Sequence, residues 1–97
     1  MFTGVARISF DLAGCRSLKD KRQILRSIIE RTRVRFHVAV AEIEDQDLWQ
    51  RAVIGVAYVS SSEHHAGEVI QKVVQFVTVA NAEAEVLEVD TEVLAPF

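Results

Sequence analysis

One cysteine, one proline, one tryptophan and four glycines are all that 97 residues contain of these types. Cys15 by itself closes no internal disulfide, and no Cys/His spacing of the zinc type occurs, so neither a stapled secreted scaffold nor a structural metal is expected to hold the fold. Scarce glycine and proline beside 49% hydrophobic and 26% charged residues exclude collagen-like, low-complexity and disordered chains. Long apolar runs are missing too. The longest, Ala52 to Val59, is far short of the roughly 20 residues that cross a bilayer, and Met1 leads into no basic-then-apolar signal stretch. These absences point to one cytosolic module over residues 1–97, with no membrane partner and a core that must hold without staples.

What is present is unevenly charged. The net charge is −3, yet eight of the eleven basic residues lie between Arg16 and Arg35 with only Asp20 and Glu30 opposing them. That segment carries +6 and the remainder −9. Because fields from exposed charges decay over roughly 10 Å at physiological salt, one face can be basic on an acidic protein.

From Phe2 to Leu12 apolar residues alternate with others, the mark of a half-buried strand. Ala13-Gly14-Cys15-Arg16 breaks the alternation, and Ser17 three residues before Asp20 caps a helix from Leu18 to about Phe36. Its Leu18, Ile24, Leu25, Ile28, Ile29, Thr32 and Phe36 fall in one broad arc. His37–Asp45 and Arg51–Ser60 read as two strands joined by a hairpin, the second apolar on both sides and therefore central. Ser60-Ser61-Ser62-Glu63 caps a second helix that ends near Asn81, although Val73 to Val79 is β-branched enough to allow a strand. Glu83 to Leu94 reads as a last strand with Glu88, Asp90 and Glu92 on one side and a one-residue slip of a bulge type. The order β-α-β-β-α-β is that of an α+β, ferredoxin-like sandwich: a four-stranded antiparallel sheet of order 4-1-3-2 with both helices on one face, which sets Arg7 beside the carboxylates of the last strand.

The first helix carries the strongest candidate site. Lys19, Arg22, Arg26 and Arg33 lie within about 60° of one another on the helical wheel, a ridge able to contact phosphates, with Lys21 close by. Basic residues in the first helical turns oppose the macrodipole, so helix stability does not explain them. A bland reading stands beside this one, in which Glu30 pairs with Arg26 and Arg33 on a solvated face. Trp49 with Arg51 and Gln50 suits stacking on a splayed base, or else Trp49 and Leu48 close one end of the core. Glu44, Asp45 and Asp47 lack the glycine and distal glutamate of a calcium loop. His64 and His65 are adjacent and point about 100° apart on a helix. No Walker, dinucleotide, nucleophile-elbow or zinc-protease motif occurs, and Cys15 has no evident base, so neither enzyme chemistry nor a cofactor is expected. An RNA-recognition motif needs aromatics on the open sheet face, where at most Tyr58 is expected. An open face showing Val5, Ile54, Val56 and Tyr58 is instead the apolar patch that a second subunit covers.

Ser17-Leu18-Lys19-Asp20-Lys21-Arg22, Val38-Ala39-Val40-Ala41-Glu42 and Asp45-Gln46-Asp47-Leu48-Trp49-Gln50-Arg51 together resemble the YlxP-like family, small bacterial domains of unassigned activity, over nearly the whole chain. The resemblance implies a ferredoxin-like fold, a bacterial cytosolic protein and, since members are often encoded beside transcription-elongation, translation-initiation and ribosome-maturation factors, ribosomal RNA or a ribosomal subunit as partner. It supplies no catalytic residue. The expectation is therefore a non-enzymatic RNA- or ribosome-associated accessory protein; the alternative is a protein-interaction module that forms a homo-oligomer through its sheet face or an edge strand.

Overall fold

Period-two alternation builds β1 (Phe2–Asp11), in which Gly4, Ala6, Ile8 and Phe10 are buried and the residues between them are not. The computed structural model describes residues 1–97 and continues with α1 (Leu18–Phe36), β2 (Ala39–Glu44), β3 (Arg51–Ser60), α2 (Glu63–Val79) and β4 (Glu85–Leu94). All pairings are antiparallel and the sheet order is β2-β3-β1-β4, the ferredoxin-like arrangement expected from the element order. No helix is long and apolar enough to cross a membrane.

Capping residues start both helices. Ser17 accepts from the Asp20 amide at 3.1 Å, while Asp20 Oδ2 accepts from the Arg16 amide at 3.1 Å. Ser62 accepts from the His65 amide at 3.2 Å and begins α2. His37 ends α1 in the left-handed region, its amide donating to the Arg33 carbonyl at 2.9 Å. The β-branched run of α2 is helical to Val79 because Ile70, Val73 and Val77 keep helical spacing and all reach the core, so burial overrides a small propensity cost. Arg31 on α1 donates to the Ala80 carbonyl at 2.9 Å and serves as the cation that the last turn of α2 lacks.

The core lies between the sheet and the helices, with Ile8, Phe10, Leu12, Ile28, Ile54, Ile70, Val73 and Val77 fully enclosed. Gly4 is the point of closest approach between sheet and helix: a Cβ there would stand 2.6 Å from Ile70 Cγ1 and 2.9 Å from the Ala66 carbonyl oxygen. The expected slip in the last strand is present as a register shift opposite Ser9 and Phe10.

The phase of β3 corrects the expected interface. Ile54 pairs with Ile8, Val56 with Ala6 and Tyr58 with Gly4, all on the side that the helices cover. Ile54 and Val56 are buried in the core, and the Tyr58 hydroxyl meets His65 Nε2 of α2 at 3.1 Å. Of the four residues expected on the open face, only Val5 is there, paired with Ala57 and Glu92. Since β3 is apolar on both sides, alternation alone does not say which set faces inward; the register with β1 does.

Candidate nucleic-acid interface and the opposite sheet face

The basic segment divides by what each side chain already holds. Arg31 caps α2 and lies 5.4 Å from the Phe76 ring, and Arg35 lies 5.2 Å from the same ring and 5.7 Å from Phe36. Both guanidiniums are engaged at the seam between the helices, where Phe36 and Phe76 meet edge to face. Arg33 is exposed but donates to the Val40 carbonyl at 3.2 Å, tying α1 to β2. Lys19, Arg22 and Arg26 are exposed, make no side-chain hydrogen bond and have no carboxylate within 4 Å. Glu30 forms no ion pair with Arg26 or Arg33, so the salt-bridged helix face is not what forms.

Lys21 is not part of the ridge. Its side chain is 2% exposed, and Nζ donates to the Asp45 carbonyl at 2.6 Å and the Leu48 carbonyl at 2.5 Å while lying 2.8 Å from Glu42 Oε2. Three acceptors thus surround an ammonium with three donors. Glu42 Oε2 has no hydrogen bond of good geometry, so the carboxylate contact is electrostatic. The sign was present in the sequence: Lys21 precedes Ile24, Leu25 and Ile28 by three, four and seven residues and so belongs to the apolar arc. Glu42 was the residue missed. Its position two after Val40 puts it on the inward phase of β2, beneath α1.

Lys21 also joins the β2–β3 loop to the start of α1. The Gln50 side-chain amide reaches the Ala13 and Cys15 carbonyls at 3.5 Å, and the Leu12 amide donates to the Gln50 carbonyl at 2.9 Å. The loop is therefore fastened against residues 12–21 and turns at Asp45, which takes the left-handed region that aspartate tolerates. Leu48 is 51% and Trp49 48% exposed, so they do not close the core. Trp49 stands on a loop held at the first turn of the basic helix. Arg51 does not join it: paired with Asp11, it lies on the open sheet face, away from α1.

That open face is the other surface of note. Pairing brings Asp11, Glu44, Glu85, Glu88, Asp90 and Glu92 to it, opposed only by Arg7 and Arg51. Arg7 donates from Nε to Glu44 Oε1 at 3.1 Å and from Nη2 to Oε2 at 2.6 Å, and its Nη1 is 3.5 Å from Asp90. The hydrogen bond from Arg7 lowers the Glu44 pKa and the same bond raises that of Arg7. Between these charges lies a trough of about 680 Å³ whose lining includes Val5, Ala39, Ala41, Ile43, Gly55 and Ala57. Gly55 and Ala57 come from the strand whose phase alternation left open, and Ala39 and Ala41 from β2 paired with it.

Burial raises the Cys15 thiol pKa, which lowers the share of thiolate, the nucleophilic form, at neutral pH. No three His, Cys, Asp or Glu side chains stand together as a metal site would need.

The family model described as "Protein of unknown function (DUF503)" matches residues 3–91. A curated relative, the uncharacterized protein YlxP of Bacillus subtilis (strain 168), is 43% identical over 61 residues, which cover 63% of this chain and 66% of that protein, just under two thirds of its length. Among solved structures, a dimeric ferredoxin-like protein from an uncultured marine organism aligns with all of this chain and 92% of its own at 12% identity and a TM-score of 0.41.

Proposed function

We propose that this chain, which belongs to the DUF503 family of proteins of unknown function, is a non-enzymatic RNA-binding accessory protein that positions itself on ribosomal RNA through the outer edge of α1. The observation that supports this reading is that Lys19, Arg22 and Arg26, spaced i, i+3 and i+7, are exposed with neither carboxylate nor hydrogen-bond partner. They span about 10 Å along one helical edge. A solvated pair network would quench such a ridge; here its charge is free. The two guanidiniums suit phosphate oxygens through their planar forks, and the exposed Trp49, on a loop fastened to the same end of α1, offers a ring for one unstacked base. Binding and positioning are the whole mechanism in this reading, and no bond is made or broken.

Co-sedimentation with ribosomal subunits and with free ribosomal RNA at about 50 and 200 mM salt tests it. Three phosphate contacts lower affinity roughly 20- to 40-fold over that range through counterion release. Replacement of Lys19, Arg22 and Arg26 by alanine flattens the dependence. Absent co-sedimentation at both salts, or binding that ignores salt, overturns the proposal.

A further inference from the structure

We propose that the open face of the sheet is a docking surface for a basic, amphipathic segment of a partner protein, independently of any RNA held by α1 on the other side of the molecule.

Shape is the first argument. The floor of the trough is built from Val5, Ala39, Ala41, Gly55 and Ala57, with Ile43 standing beside Gly55 as a wall. Small side chains on β3 and on the edge strand β2 beside it, with Ile43 on one side and Asp90 and Glu92 of β4 on the other, make a channel rather than a flat sheet. Strands are about 4.8 Å apart, so the four of them present a width of roughly 15 Å, enough for one helix about 10 Å across. The floor offers apolar contact and no free hydrogen-bonding side chain, which calls for an apolar stripe on whatever lies in it.

Charge selects the occupant. Arg7 is consumed by Glu44 and Asp90, whereas Glu88 and Glu92 on the β4 side have no cation within 4 Å. Two copies of this face laid together would set carboxylates against carboxylates, and a nucleic acid would meet the same repulsion. A segment with apolar residues on one stripe and lysine or arginine along its flanks meets both requirements: its apolar stripe covers the floor and its cations reach Glu88 and Glu92. Recognition of this kind reads apolar anchors at helical spacing, with the rim charges setting orientation and partner choice.

The test uses the full chain and a short fluorescent peptide with leucine and lysine at amphipathic helical spacing, beside a scrambled peptide of the same composition. The patterned peptide is expected to bind with amide shift changes in the NMR spectrum at Val5, Ala41, Gly55 and Ala57. Glu88→Lys with Glu92→Lys, both exposed positions on an edge strand, weakens it by about tenfold or more. Alanine at Lys19, Arg22 and Arg26 leaves it unchanged, which separates this proposal from the RNA reading. Equal binding of the scrambled peptide, shift changes confined to the helices, indifference to Glu88→Lys and Glu92→Lys, or a dimer in sedimentation equilibrium that Ala41→Glu dissociates would each overturn it.

Discussion

Lys21 Nζ lies 2.8 Å from Glu42 Oε2 beneath the first turns of α1, and the same ammonium holds the carbonyls of Asp45 and Leu48. One buried cation thus joins a helix, an edge strand and a loop. A buried charge is retained only when its partners replace water, and loss of one partner strands the others.

Lys21→Met therefore leaves two carbonyls without a donor and a partly buried carboxylate without its cation. A loss of about 3–5 kcal/mol in urea unfolding is expected, together with faster proteolysis between Asp45 and Gln50. Adding Glu42→Leu recovers part of the loss, because the stranded charge is removed with its partner. An additive double variant would show that the two residues do not act as a pair.

Gly4→Ala places a methyl group against the Ala66 carbonyl, which is backbone and does not step aside as a side chain would. Destabilisation of about 1–3 kcal/mol follows from overpacking. Gly14→Ala meets nothing within 4 Å and serves as the control, with an unchanged thermal midpoint expected.

The Glu44 carboxyl should titrate below the ordinary glutamate range, since Arg7 hydrogen-bonds its ionised form. A folded pKa lower than the unfolded one means that the pair stabilises the fold above the unfolded value and ceases to do so as pH falls through the folded one. Carbon-detected NMR titration measures the midpoint, and Arg7→Met is expected to move it up. An unmoved midpoint would remove Arg7 as the cause.

Cys15 is buried and its thiol pKa is raised, chiefly by that burial. Labelling by a thiol reagent at neutral pH should be slow in the native protein and fast in denaturant. Rapid native labelling would indicate that the segment between β1 and α1 opens readily.

Arg51→Ala is expected to leave RNA affinity unaltered in the same assays in which Arg22→Ala lowers it. The two residues lie on opposite sides of the sheet, so a common effect would contradict the assignment of the ridge to α1.

The sheet order followed from the β-α-β-β-α-β succession as a whole, and the second helix is capped by Ser62 rather than by the first serine of Ser60-Ser61-Ser62-Glu63. The sequence by itself determined the six elements, the Ser17 cap and the position of the bulge. These rest on local chemistry: alternation, helical spacing and capping geometry act within a few residues of one another. It also marked the basic segment as unusual. Only the tertiary structure decided which cations of that segment are free. Arg31, Arg33 and Arg35 are occupied by groups elsewhere in the fold, and Lys21 by backbone carbonyls 24 and 27 residues away, partners that no side-chain pattern announces. The orientation of β3 was likewise beyond local reading, since Ala52 to Val59 offers an apolar set on either phase. Pairing with β1 turned Ile54, Val56 and Tyr58 toward the helices and left Gly55 and Ala57 to floor the open face, because the larger side chains fill the space beneath α1 and α2, where burial contributes most.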